Sequence, residues 1–498
     1  MLDTLRAVYD RLTADGSTEE QAVRSGIWAA GINVGDRVLQ LLKVVVLARL
    51  LSPTAFGLLG IGLLTLAALN QFSRLGFDQA LVQRPEEDVD EYLNTAWVMK
   101  IARGLLLSVV AFALAPHLAA FFGEPRAEPV IRVLGVSPLL LGLQNPAVVY
   151  FQKNLDFHRE FLYRIGGRLV DLVVAVAFVL VYRNVWALVA GLIASKATMV
   201  LLSYAIHQYR PRISFDLGYG REMFAFGKWL FASGVLVFLY GQGDDAFVGW
   251  FFGATALGFY QIAYRFSNAP ASEITGVISR VAFPALSKVQ DDVDRLREGY
   301  FRSVQMAAVV GFPVAAGIVA VAPQFVGAVL GTEWEPIVPL MQLLAVWGGI
   351  RAFGANVGAV FKSVGRPDYD TKLQAIKVSI IAVLIYPAAE QFGVLGVAYA
   401  VVGNTFVIQP ISIYLVLSVV EGSLSRLISL VVYPLAGSAL MAGVVVLIDT
   451  HVFAGTGVIE LSVLVAAGVA SYVGIMLTLE RSTDCEFVGI YRTLRRSV

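Results

Sequence analysis

The sequence predicts an all-α, polytopic membrane protein with about fourteen transmembrane helices. We expect two pseudo-symmetric six-helix lobes followed by two further C-terminal helices. Three observations support this prediction: the shortage of charge, the length of the apolar segments and an internal repeat. The chain has 498 residues, of which 57% are hydrophobic and only 15% are charged, and its mean hydropathy is +0.71. Because soluble domains carry about 25% charged residues, the surface of this chain must face lipid.

The apolar segments are mostly about 20 residues long, which is the length that crosses roughly 30 Å of hydrocarbon as a helix. They show no strand-like alternation, so helices must satisfy the backbone inside the membrane. The expected spans are 26–48, 55–77, 93–115, 130–150, 163–182, 186–206, 226–247, 256–278, 303–323, 337–359, 373–389, 394–417, 427–448 and 457–479.

The internal repeat relates the first half of the chain to the second. The segment Thr54–Leu58 recurs as Thr255–Phe259, and subtraction of the paired positions gives an offset of 201. Three later matches keep the same order, with offsets of 207, 210 and 209: Ala115 with Ala322, Phe151 with Phe361, and Ala187 with Gly396. A period this long is typical of duplicated lobes in membrane transporters.

The basic residues predict the orientation of the chain. Of the 38 Lys and Arg residues, 27 fall on the side of the N terminus and four on the opposite side. The positive-inside rule therefore places both termini in the cytoplasm, in the cytoplasmic membrane. The expected organisation is an amphipathic interfacial segment (1–24), an N-lobe (25–208), a cytoplasmic linker (209–225), a C-lobe (226–420), the last two spans (421–480) and a cytoplasmic tail (481–498).

Charged residues inside the expected spans mark the candidate site. A charge at a helix centre costs about 2.5–3.5 kcal/mol on insertion, so most of these side chains should face a watery cavity or one another. Asp36, Arg37 and Lys43 form a polar seam on the first span. We expect Asp36 to pair with a nearby cation, which leaves Arg37 available to meet an anion.

The second half carries a different set. Asp244 and Asp245 lie in the seventh span, Arg265 in the eighth and Arg351 in the tenth, and Asp78 lies near the second. The sequence therefore predicts a cationic substrate cavity. Arginine suits bidentate contact with phosphate better than lysine does. The cationic set is Arg37, Lys43, Arg265 and Arg351. The aspartates Asp36, Asp78, Asp244 and Asp245 either bind a coupling cation, H⁺ or Na⁺, or balance the positive charges.

Other chemistry is not expected. The single cysteine, Cys485, can build neither a disulfide framework nor a zinc site. No nucleotide loop is present, the basic residues are not clustered as in nucleic-acid binding, and we expect no cofactor, no metal and no catalytic residue. Apart from the substrate, the expected partners are membrane lipids.

Several motifs resemble one known family. The run Leu47–Gly57 is similar to the junction of the first two spans in polysaccharide transporters, the O-antigen-type flippases of the multidrug/oligosaccharidyl-lipid/polysaccharide exporter superfamily. Further matches are Asp244, Gly249 and Gly253 before Ala256–Tyr260, then Phe283–Ser287 and Gly365–Asp368. The resemblance covers residues from about 22 to 420. The doubled Asp244-Asp245 departs from the family pattern.

The resemblance implies a function. Such proteins move lipid-linked oligosaccharides across a membrane, and related lipid-carrier flippases use cationic residues in the first and eighth spans, here Arg37 and Arg265. We therefore expect a flippase, not an enzyme, that exports a polyprenyl-(pyro)phosphate-linked oligosaccharide by alternating access for surface polysaccharide or glycoprotein glycan assembly.

Two other functions remain open. A cation-coupled multidrug exporter of the same superfamily would need an acidic, aromatic cavity. A membrane glycosyltransferase would need outer loops longer than those expected here, which do not exceed about a dozen residues.

Overall fold

The computed structural model describes residues 18–73, 89–154, 156–214, 235–236, 238–268, 286–354, 356–453 and 455–482. Within these ranges the protein is helical, with no strand. Eleven of the described helices are long and apolar enough to cross a membrane. The predicted all-α, polytopic fold is thereby confirmed.

In the first half, the described residues form eight helices, which we number in chain order: α1 (Thr18–Ala48), α2 (Pro53–Phe72), α3 (Val89–Phe121), α4 (Ala127–Leu134), α5 (Ser137–Gly142), α6 (Val149–Lys153), α7 (Phe157–Tyr182) and α8 (Val185–Ile206). The predicted span 130–150 is not one continuous helix, because α4, α5 and α6 share it. Pro138 and Pro146 lie at the starts of α5 and of a short 3-10 turn, where proline is tolerated.

The second half continues with α9 (Phe238–Asn268), α10 (Val293–Phe325), α11 (Val338–Gly354), α12 (Val357–Ser363), α13 (Pro367–Phe392), α14 (Val394–Val419), α15 (Leu424–Val452) and α16 (Val458–Ser482). A π-helical turn (Val326–Leu330) and a 3-10 turn (Thr332–Ile337) separate α10 from α11. Several of these helices begin at the proline or capping residue expected of them: Pro367 opens α13, and the Ser423 side chain accepts a hydrogen bond from the Arg426 N–H at the start of α15.

Helix α9 carries parts of two predicted spans, 226–247 and 256–278, which the sequence analysis places on separate helices. Its backbone leaves helical geometry at Gly253, where φ is +82°. Glycine adopts such a conformation without strain, so Gly253 permits a local departure from helical geometry within α9.

The chain divides into two compact units. Unit 1 comprises Met1–Phe238 together with Gly249–Thr255, and unit 2 comprises Leu239–Val248 together with Ala256–Val498. The segment Gly249–Thr255 therefore belongs to unit 1 although it lies in the second half of the sequence. We call it the inserted segment.

The two copies of the repeated motif meet inside unit 1. The hydroxyl oxygens of Thr54 and Thr255 are 2.7 Å apart and hydrogen-bonded. Gly57 lies directly against Ala254, since a Cβ atom at Gly57 would be 1.6 Å from the Ala254 carbonyl oxygen. Phe121 stacks on Trp250 with 6.2 Å between the ring centroids. The repeated motif is therefore a packing contact, and glycine at position 57 is required by the close approach of the backbone.

Candidate functional site

A polar cavity of about 660 Å³ lies inside unit 2. Its volume is within the range of about 300–1,000 Å³ that is typical of small-molecule sites. Helices α9, α11, α13 and α14 supply most of its wall, and α12 supplies the rest. The charged, amide, hydroxyl and aromatic residues of the lining are Tyr240, Asp244, Tyr264, Trp347, Arg351, Lys362, Asp370, Gln374, Lys377, Asn404, Thr405, Gln409 and Ser412.

Arg351 is the first of two cations held on aromatic rings in this cavity. Its guanidinium carbon lies 4.6 Å from the centroid of the Trp347 ring, one turn earlier on α11. One guanidinium nitrogen is 3.5 Å from the Tyr264 hydroxyl. Among the described residues, no carboxylate lies within ion-pair distance of Arg351. Its charge is therefore stabilised by a ring face and remains available to an anion.

Lys377 is the second such cation. It lies ten residues after Pro367, about 15 Å along α13 from the start of that helix. Its ammonium group is 5.3 Å from the centroid of the Tyr240 ring, and no ion pair joins it to any carboxylate in the described part of the chain. Like Arg351, it lies over an aromatic face.

The carboxylates of the cavity are engaged by other groups. Asp244 accepts a hydrogen bond of 2.8 Å from the Tyr260 hydroxyl. A carboxylate oxygen of Asp370 lies 3.7 Å from the Lys362 ammonium. Three cations and two carboxylates line the cavity, so its formal charge is +1.

Amide side chains complete the wall. Asn404 donates a 3.1 Å hydrogen bond to the backbone carbonyl of Lys377, which places this amide beside that lysine. Gln409 lies against Gly354, one turn beyond Arg351, since a Cβ atom at Gly354 would be 2.6 Å from Gln409 Nε2. Two buried amide atoms, Asn404 Oδ1 and Gln409 Nε2, have no hydrogen-bond partner in the described structure. A buried polar atom without a partner costs about 1–3 kcal/mol, so this wall is built to meet a polar ligand or water.

Unit 1 holds its charges differently. Lys43 is only 8% exposed, and its ammonium lies 2.5 Å from a carboxylate oxygen of Asp171 on α7. Asp36 pairs with Arg168, also on α7, so the cation that it meets comes from another helix. Arg37 is half-buried and donates to the Gln40 side chain at 3.4 Å. The charges at positions 36 and 43 are thus neutralised within the helix packing.

The structure brings together some of the predicted site residues and separates others. Arg351 and Asp244 share the unit 2 cavity. Arg265 is half-buried on α9 and is not in the lining. Asp245 follows Asp244, with a buried Oδ1 that has no hydrogen-bond partner among the described residues. Asp78 lies outside the described residues.

Sequence reasoning missed Lys377, Tyr240, Trp347 and the amide wall. The sequence does contain a signal for Lys377: a helix that begins at Pro367 places this lysine ten residues from its start, among apolar residues. Lys377 falls four residues inside the predicted span 373–389, but it is one of the 27 basic residues assigned to the side of the N terminus. No group of three or more His, Cys, Asp or Glu side chains that could hold a metal is found among the described residues.

A polar cavity enclosed by membrane helices is the arrangement by which transporters hold a substrate. The fold and this site together define a multi-pass membrane transporter. A family model described as "Polysaccharide biosynthesis protein" matches residues 46–339, which is more than half of the chain. The chain belongs to this family, and the resemblance seen in its sequence motifs is confirmed.

Named relatives agree with the family. The chain is 26% identical over 383 residues to the lipopolysaccharide biosynthesis protein WzxC of Escherichia coli K12, covering 76% of this chain and 78% of the relative. It is 26% identical over 407 residues to the teichuronic acid biosynthesis protein TuaB of Bacillus subtilis 168, covering 81% and 84%. A 22% identical match is named as a probable low-salt glycan biosynthesis flippase, Agl15, of Haloferax volcanii, and it covers 76% of this chain and 79% of the relative.

Solved structures show the same fold. The lipid II flippase MurJ in an inward closed conformation superposes with a TM-score of 0.71 at 13% identity, over 92% of this chain and 99% of that one. An inward-facing multidrug transporter of the MATE family superposes with a TM-score of 0.63 at 17% identity, over 78% and 94%. At these identities the likeness concerns the fold alone.

Proposed function

We propose that this protein is a flippase that moves a polyprenyl-(pyro)phosphate-linked oligosaccharide across the cytoplasmic membrane, for surface polysaccharide or glycoprotein glycan assembly. The observation that carries the proposal is the unit 2 cavity, where Arg351 and Lys377 lie on aromatic faces with no carboxylate of the described chain within ion-pair distance. A phosphate group is the ligand that such a pair of cations favours.

The proposed cycle is alternating access between two six-helix lobes, with the last two spans outside the repeat and both termini in the cytoplasm. The phosphate and the sugars enter the polar interior while the polyprenyl chain remains in lipid. Arg37, Lys43 and Arg265 are proposed as further contacts of the anionic group at other stages of the cycle. The relative named as a probable flippase supports a transporter.

We also propose that transport is coupled to a cation. Asp36, Asp78, Asp244 and Asp245 are the proposed groups for H⁺ or Na⁺ or for charge balance. The membrane potential is a second source of energy that sets the direction of transport, because an anionic substrate carries charge through the field. Liposomes with an imposed pH gradient, a Na⁺ gradient or a potential, applied one at a time, separate these three sources.

The test of the proposed function is a reconstituted flipping assay. Liposomes carrying the purified protein receive a fluorescent polyprenyl-pyrophosphate-linked glycan, and a reagent confined to one side reports its movement. We expect protein-dependent movement that is lost in the double variant Arg351→Gln/Lys377→Gln. The matched control is Lys372→Gln, an exposed lysine on the same helix that pairs with Asp368. Equal movement by the double variant and the control contradicts the assignment of the cavity.

Charge reversal tests the two residues assigned by resemblance. Arg37→Glu and Arg265→Glu should each abolish glycan export while the protein remains folded and inserted. Normal export by both variants rejects their role in holding the anion.

A multidrug exporter coupled to a cation is the second candidate, because Asp244 and Asp370 do line the cavity. Such an exporter needs an acidic site for a cationic drug, whereas this cavity has one more cation than it has carboxylates. Drug-dependent efflux of a fluorescent cation such as ethidium, lost on Asp244→Asn, favours the exporter over the flippase.

A further inference from the structure

Two unsatisfied amide atoms in the unit 2 cavity show what kind of group lies next to the anion. Asn404 Oδ1 is a hydrogen-bond acceptor and Gln409 Nε2 is a donor, and both are buried without a partner among the described residues. A metal ion would satisfy only the acceptor, and a phosphate oxygen would satisfy only the donor. A hydroxyl group both donates and accepts, as water does, so sugar hydroxyls can replace water at both atoms.

The positions of the two amides link them to the two cations. The Asn404 side chain is bound to the backbone carbonyl of Lys377, and the Gln409 amide packs on Gly354, one turn from Arg351 on α11. Asn404 and Gln409 are five residues apart on α14, which is about 7.5 Å along the helix axis. The helix segment that bears each cation therefore contacts one of the two amides, and both amides line the same cavity.

From this arrangement we infer that the cavity contains a subsite for the glycosyl phosphate head group of the lipid-linked substrate. Arg351 and Lys377 hold the phosphate, and Asn404 and Gln409 bind hydroxyls of the sugar attached to it. This inference rests on the proposed function for the identity of the natural substrate, but the subsite is defined by its own residues.

Keeping an unsatisfied amide has a measurable consequence in the empty protein. A leucine at position 409 is apolar and close to glutamine in size. Because replacing an unpaired buried amide by an apolar group removes its desolvation cost, Gln409→Leu should leave the thermal unfolding temperature unchanged or raise it. A purely structural role for Gln409 requires the opposite, a clear drop in that temperature.

Binding of soluble head-group analogues tests the subsite directly. The purified full-length protein is titrated calorimetrically at fixed ionic strength with inorganic phosphate and with the 1-phosphates of glucose, galactose, mannose and N-acetylglucosamine. We expect at least one glycosyl phosphate to bind on the order of tenfold more tightly than inorganic phosphate, since each neutral hydrogen bond contributes about 0.5–1.5 kcal/mol.

The variants separate the two parts of the subsite. Gln409→Leu should abolish the preference for the glycosyl phosphate and leave the affinity for inorganic phosphate unchanged. Arg351→Gln should weaken both ligands together. Ser418→Ala, an exposed position on the same helix α14 outside the cavity lining, serves as the control and should change neither affinity.

Two results overturn the inference: no glycosyl phosphate binds more tightly than inorganic phosphate, or Gln409→Leu keeps the full preference. Failure of the proposed function gives a different result, namely no flipping of the lipid-linked glycan while the preference for a glycosyl phosphate still depends on Gln409. The two failures are therefore distinguishable.

Discussion

Lys43 in unit 1 and Asp244 in unit 2 occupy corresponding places in the repeat, yet they have opposite charge and opposite surroundings. The offset of 201 that relates Thr54 to Thr255 also relates Lys43 to Asp244. Lys43 is buried and paired with Asp171 on α7, whereas Asp244 lines a cavity and is bound by the Tyr260 hydroxyl. The base lies on the first helix of one repeat, and the acid lies on the first helix of the other.

The neighbouring helix in each unit carries a charge of the opposite sign to that in the other unit. In unit 1 the charge opposite Lys43 is the carboxylate of Asp171. In unit 2 the corresponding helix α13 carries Lys377, on an aromatic ring and in no ion pair within the described chain. The duplicated scaffold thus holds a closed ion pair in one unit and an open cationic cavity in the other. In this structure the buried charge of Lys43 is held in an ion pair, whereas the cations of the unit 2 cavity are, as we propose, placed for binding.

The largest expected effect is on transport and comes from unit 2. Arg351→Gln/Lys377→Gln should lower the flipping rate by about a hundredfold or more, because each lost charge-assisted hydrogen bond is worth about 1.5–3 kcal/mol. The reconstituted assay measures this rate, and the thermal unfolding temperature should change little. A large drop in stability with intact flipping would reverse the roles assigned to the two units.

The next effect is on stability and comes from unit 1. Asp171→Asn leaves the buried Lys43 ammonium without its counter-charge and should cost about 3–5 kcal/mol of folding stability. Thermal unfolding in detergent measures the loss. The double variant Lys43→Met/Asp171→Leu should recover most of it, because a buried ion pair can be replaced by apolar residues of similar volume. No recovery in the double variant would mean that Lys43 has a further partner that matters more.

A smaller effect is expected where the repeated motifs meet. Gly57→Ala places a methyl group 1.6 Å from the Ala254 carbonyl oxygen, so the backbones must separate, at a cost of about 1–3 kcal/mol. Gly443→Ala on α15 is the control, because a Cβ atom there would meet no atom within 4 Å. Equal unfolding temperatures for both variants would show that the contact yields without cost.

The smallest effect is expected at the paired hydroxyls. Thr54→Val keeps the shape of the side chain and removes its hydrogen bond to Thr255, which should cost about 0.5–1.5 kcal/mol. Thr255→Val should have the same effect, and the double variant should cost no more than either single change. Additive losses in a double-mutant cycle would contradict a direct bond between the two hydroxyls.

The fold could be predicted from the sequence because each span leaves a local signal of length and apolar composition. Arg351 and Asp244 could be predicted as site residues for the same reason, since a charge within an apolar segment is visible by itself. The ion-pair partners of the charged residues in unit 1 could not be predicted. Lys43 and Asp171 are 128 residues apart, and Asp36 and Arg168 are 132 apart, so packing alone decides that the Lys43 and Asp36 charges are neutralised.

Lys377 was missed for a more local reason. The apolar composition places the start of this span at residue 373, whereas the helix begins six residues earlier, at Pro367. The polar first turns of α13, with Asp368, Asp370 and Lys372, hid the depth of Lys377. Charged residues within about three turns of a predicted span end should therefore be examined as interior candidates.

The inserted segment has a consequence for how the protein is made. Unit 1 is completed by Gly249–Thr255, which is synthesised after all six spans of the first repeat. The surface of α2 around Gly57 therefore stays uncovered during translation until residue 255 has left the ribosome. A gene divided within the predicted linker, 209–225, would produce a first half that lacks this covering. Its stability in the membrane would then depend on the second half being present.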